Sequence, residues 1–227
     1  MMGAGPDPPS PFPGYSLGER RADLAVHGLG LSLAALGLPW MVWSGFTGAG
    51  VVVGFSLLLY ALCAALMLAS SAVYNLTREP RRKELFRRID RAVIFAMIAG
   101  TYSPLAVAKL GPVWREGLMG FEWGLAALGV TLAFAMSRRA ERLCILLYLL
   151  MGWAVIPVAA PLMAAIGPAM FGGILVGALI YTAGVALHAA VRLKYHNVLW
   201  HCCVLAAATC HYAIILRAVA LPWTGTP

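Results

Sequence analysis

A few polar side chains interrupt an otherwise apolar chain, and their types are the ones that do chemistry. Ser71 and Asn75 lie on one stretch, Asp90 on the next, and His196, Asn197 and His201 far downstream; His27 and His188 stand apart from these. Imidazole and carboxylate groups brought together can pass a proton or hold a cation, while hydroxyl and amide groups can orient them by hydrogen bonds. Helical spacing decides which of them can meet. Ser71 and Asn75 are four apart, about 40° round a helix, so they share a face, and Asn197 and His201 do the same. His196 and His201 are five apart, about 140° round a regular helix, so only a frayed or bulged backbone would aim both at one point.

The elements that must position these groups are membrane helices. Hydrophobic residues make up 61% of the chain and charged ones 11%, with a mean hydropathy of +0.82. A soluble domain would carry about a quarter charged residues. The apolar segments are each near the ~20 residues that cross a bilayer as a helix, and none alternates like a barrel strand. We read seven spans, at 22–43, 50–75, 91–109, 118–136, 143–165, 169–191 and 197–217. Ile166-Gly167-Pro168 forms the whole turn between the fifth and sixth, because Gly followed by Pro stops a helix. The expected fold is therefore an all-α integral membrane protein, a seven-transmembrane helix bundle in the plasma (inner) membrane.

Loop charge sets the orientation. Arg20 and Arg21, the cluster from Arg78 to Arg91, Arg138, Arg139 and Arg142, and Arg192 with Lys194 fall on one side, against Lys109, Arg115 and Arg217 on the other. The N-terminus is then cytoplasmic and the C-terminus outside. The net charge of +8 is explained by basic loops facing anionic lipid, so membrane lipids are the expected partners and no nucleic acid is.

Residues 1–18, rich in Pro and Gly, are expected as a disordered tail, 19–221 as one membrane domain and 222–227 as a short C-terminal tail. The cysteines, Cys63, Cys144, Cys202, Cys203 and Cys210, lie in apolar spans with no CxxC pairing and read as packing residues. Pairs such as Gly120 and Gly124 or Gly173 and Gly177 permit close helix approach. Pro104, Pro157 and Pro161 fall within spans, where they would kink the helix and free carbonyls.

With this topology the polar groups converge. Odd spans start inside and even spans end there, so His27, Ser71, Asn75, Asp90, His188, His196, Asn197 and His201 all lie at cytoplasmic helix ends. A polar group in a membrane interior costs a few kcal/mol unless paired, which makes each a functional candidate. His211, ten residues beyond His201, lies about 15 Å farther along the same helix.

The stretch RIDRAVIFAMIAGTYSP from Arg88 to Pro104, with Trp200-His201-x-x-Val204-x-x-Ala207-x-x-x-His211, resembles the hemolysin III family, the bacterial branch of the progestin and adiponectin receptor superfamily. Glu19 before His27, Tyr148-x-x-Met151-Gly152-Trp153, Gly172-Gly173 and Tyr181-x-x-Gly184 are similar to that family as well. The resemblance implies an intramembrane zinc site near the cytoplasmic face. Carried over by position, Ser71, Asp90 and His201 match its motifs, while Asn75 and Asn197 stand where the pattern has histidines and His196 is displaced by one. The metal set this suggests is His201, His196 and Asp90, with Asp90 and Ser71 as catalytic groups and Asn75, Asn197, His27 and His188 in support. Zinc with this set would serve hydrolysis of a lipid amide such as ceramide. The alternative is a non-enzymatic, channel-like or regulatory membrane protein whose polar cluster is metal-free and satisfied internally.

Overall fold

The computed structural model describes residues 15–135 and 138–221. Among these, every regular element is helical. The tail expected over 1–18 lies outside the described residues up to position 14, and the C-terminal tail at 222–227 lies outside them entirely.

Helix α1 (Leu17–Ser44) begins at a capping box. Ser16 accepts from the Glu19 backbone N–H while the Glu19 carboxylate accepts from the Ser16 backbone, which satisfies two amides that a helix start otherwise orphans. A π turn, Gly45–Ala49, ends it, and Gly50, at φ 91°, turns the chain into α2 (Val51–Leu76). Helix α3 (Pro80–Lys109) starts where sequence chemistry says it should. The Glu79 side chain accepts from the amides of Arg81 and Arg82, and Pro80 fills the first position, where its missing N–H costs nothing. Its thirty residues extend well before the span read at 91–109.

Helix α4 (Pro112–Ala133) again opens on proline. The fifth span is split into α5 (Arg138–Gly152) and α6 (Ala159–Ile166), with a run of turns between them. Pro157 is the physical cause, since it donates no hydrogen bond and pushes the residue before it out of helical geometry. Irregular backbone inside a membrane is tolerated where it lines a cavity, and Gly152, Trp153 and Val155 line one. Pro161 sits in the first turn of α6 and Pro104 inside α3. Gly167, at φ 82°, is the single residue between α6 and α7 (Pro168–Ala189). Tyr195, at φ 62°, leads into α8 (His196–Ile215), which runs on into a π turn, Leu216–Ala220.

Helix α3 packs between α2 and α4, α7 lies along α8, and α1 closes the arrangement by touching both α2 and α8. Leu57, Phe95, Met41 and Met151 are fully enclosed, while Leu36, Trp40, Val52 and Phe55 face outward. Such outward apolar side chains are what a lipid-facing surface requires. Among the described residues, five segments are long and apolar enough to cross a membrane: Leu17–Ala49, Val51–Leu76, Pro80–Lys109, Pro168–Ala189 and His196–Ala220.

Candidate metal and acid-base site

The site is assembled by the contact between the start of α1 and the start of α8. Glu19 makes that contact: one carboxylate oxygen takes the Ser16 hydroxyl and backbone amide at 2.7 and 2.8 Å, and the other accepts from the Tyr195 amide at 3.0 Å. One turn further into α1 is Asp23, and one turn beyond it His27, a pair on one helix face. Opposite them on α8 stands His201.

These three side chains are buried, and their ligating atoms all lie within 4.8 Å of one another. His201 Nδ1 is 2.5 Å from Asp23 Oδ1, and His27 Nε2 is 3.4 Å from Asp23 Oδ2. The two imidazole rings are 4.5 Å apart between centroids. A tetrahedral ion with bonds of about 2.0–2.2 Å holds its ligand atoms roughly 3.4 Å apart, so the set fits a divalent ion after small side-chain adjustments. Two histidines, one carboxylate and an open position also form a donor set found in catalytic zinc sites.

Around this triad lies a second layer. Asn75 donates to the Ser71 carbonyl at 2.9 Å, and its amide nitrogen is 3.4 Å from His27 Nε2. Asp90, on α3, lies near Ser71, Ser70 and His27. Asp90 and Ser71 share with His27 and His201 the wall of a cavity of about 140 Å³. The rest of that wall is mostly apolar, with Met97, Ile98, Val204 and Ile214 among its members.

His196 is buried too, but its ring packs edge-on to Tyr15, 5.9 Å away, and lies 6.4 Å from His188. Its Nδ1 finds no hydrogen-bond partner among the described residues. His188 in turn stacks near Trp200 at 5.4 Å. Asn197 is half-buried beside them on the first turn of α8. The structure thus brings together His27, Ser71, Asn75, Asp90 and His201, and sets His196 and His188 in a neighbouring aromatic cluster. The 140° offset of His196 from His201 is the physical reason.

The residue that sequence reasoning missed is Asp23. It lies beside Arg20 and Arg21 at the edge of the first span, where a carboxylate reads as an ordinary solvated helix end. Its spacing of four from His27 was the available signal.

A family model described as "Haemolysin-III related" matches residues 20–212. The chain is 27% identical over 217 residues to the "Hemolysin-3 homolog" of Bacillus subtilis (strain 168), covering 92% of this chain and 99% of that protein. It is 29% identical over 202 residues to the "Hemolysin-3" of Bacillus cereus, covering 87% of this chain and 90% of that one. No solved structure matches it significantly.

Proposed function

We propose a function from a plain premise: this chain belongs to the haemolysin-III-related family and is a multi-pass membrane protein. Helix α4 and the broken pair α5 and α6 complete the five long helices to seven spans, with the N-terminus in the cytoplasm. The function is hydrolysis of a lipid amide of the ceramide class. One observation carries it: His27, His201 and Asp90 share the wall of a mostly apolar cavity, and Asp23 bridges the two imidazoles.

Asp23, His27 and His201 would hold a divalent ion, with zinc suited to the donor set. Such an ion, when bound, polarises a carbonyl and acidifies water. The remaining steps belong to the protein. Asp90, on the cavity wall and outside the ligand triad, accepts the proton of the attacking water and returns it to the leaving amine. Ser71, beside Asp90 on the cavity wall, orients its carboxylate. Asn75 braces His27 through its bond to the Ser71 carbonyl. The apolar wall takes the acyl chain and keeps bulk water from the reacting carbonyl.

The direct link between Asp23 and His201 favours a second reading, in which the three side chains satisfy one another as a metal-free clamp in a regulatory or channel-like protein. Elemental analysis of the detergent-purified protein separates the two. The hydrolase reading expects about one equivalent of metal in the parent, its loss in Asp23→Asn and His201→Ala, and its retention with amide hydrolysis abolished in Asp90→Asn. A parent without stoichiometric metal after growth and purification in zinc would leave the clamp standing.

A further inference from the structure

The cavity does not end in hydrocarbon. At its far end, roughly 15 Å along α8 from His201 by helical rise, His211 and Tyr181 both contribute to the wall, with ring centroids 5.8 Å apart. His211 Nε2 lies 3.1 Å from the Ile174 carbonyl oxygen. A carbonyl can only accept, so Nε2 carries the hydrogen, and in that tautomer Nδ1 is an acceptor. The imidazole is seated closely: a Cβ on Gly177 would run into His211 Nε2. The ring is therefore held in place on the cavity wall.

We propose that His211 is a recognition site for a hydroxyl carried partway along the acyl chain of the bound lipid, so that the preferred ligand is one whose chain is hydroxylated. The inference rests on reading the cavity as the seat of a lipid chain. A fully apolar cavity of roughly 150 Å³ stays dry and takes apolar guests, and the middle of this one, lined by residues such as Met97, Ile98 and Val204, suits a bare chain. An acceptor held at the far end favours a chain that brings a donor to it, because such a hydrogen bond contributes about 1 kcal/mol net. Tyr181, against the ring, narrows the space in which that hydroxyl can sit.

Oleate and ricinoleate, which differ by one chain hydroxyl, test this directly. Trp153 and Trp200 line the cavity, so their fluorescence reports occupancy in the purified protein. Ricinoleate should bind roughly threefold to tenfold more tightly than oleate, the worth of one net hydrogen bond. His211→Phe should bind both with the parent's affinity for oleate, which also shows that the variant is folded, and His211→Gln, which keeps a donor and an acceptor, should recover part of the preference. Equal affinities in the parent, or a preference that survives in His211→Phe, would overturn the hydroxyl site while leaving the lipid-chain reading intact. Failure of either probe to bind would overturn both.

Discussion

Glu122 shows how differently a buried carboxylate can be used at two places in one bundle. Asp23 is enclosed but answered by two imidazoles. Glu122, on α4, is wholly enclosed, and neither of its oxygens has a hydrogen-bond partner among the described residues. A buried polar group without a partner is a debit of about 1–3 kcal/mol, and replacing it by an apolar group of similar shape removes the debit. Glu122→Leu should therefore raise the thermal unfolding midpoint in detergent without changing metal content, by the equivalent of about 1 kcal/mol; a lowered midpoint would mean that Glu122 has a partner that matters. At this scale much of the site was legible. The i, i+4 pairing of Ser71 with Asn75 and the depth of Asp90 and His201 follow from spacing alone, and all four lie together. Asp23 was not legible as a member, because the partner that gives it a role is 178 positions away and no local pattern announces it.

Elements supply what the residues lack, since α1 and α8 meet only through tertiary contact. Glu19 is the clearest device: it caps α1 and, with the same carboxylate, holds the Tyr195 amide where α8 begins from a left-handed residue. Glu19→Ala should leave Asp23, His27 and His201 in place chemically but free α1 to shift against α8. The expected result is metal affinity weakened by about tenfold or more, as for other residues that orient ligands, with Glu19→Gln recovering part of it because its amide oxygen can still accept. Unchanged affinity in the alanine variant, measured by competition with a chelator, would remove Glu19 from this role. The helices themselves were largely readable from hydropathy, as was the Gly167 turn before Pro168. The unwound stretch after Gly152 was not: Pro157 announces a kink, but a complete break is stable only because the cavity and Tyr102, whose hydroxyl donates to the Gly152 carbonyl at 2.9 Å, receive the freed backbone. The glycine pairs also divide by context. Gly173 and Gly177 are packed tightly by Ile214 and His211, whereas a Cβ on Gly120 or Gly124 would meet nothing.

For the molecule as a whole, the orientation in the membrane decides from which side the site is reached. Helix α3 has thirty residues, about 45 Å at 1.5 Å per residue, well over the roughly 30 Å of hydrocarbon it must cross. Both its ends therefore emerge, and the two flanking turns report opposite faces. Arg78 before it and Arg81 and Arg82 in its first turn are all exposed, and the turn after it leads to Val113, also exposed. Basic residues are retained on the cytoplasmic side, so Arg81 should face the cytoplasm and Val113 the outside. In a cysteine-free background, Arg81→Cys should react with a membrane-impermeant maleimide only in inside-out vesicles, and Val113→Cys only in right-side-out ones. The reverse pattern would place Asp23, His27, Asp90 and His201 in the outer leaflet, and any lipid substrate would then have to be drawn from that leaflet. The asymmetry of charge argues otherwise: an inverted chain would expose the arginine-rich turns, which anionic inner-leaflet lipids hold at about 1 kcal/mol per residue, to the side that offers them least.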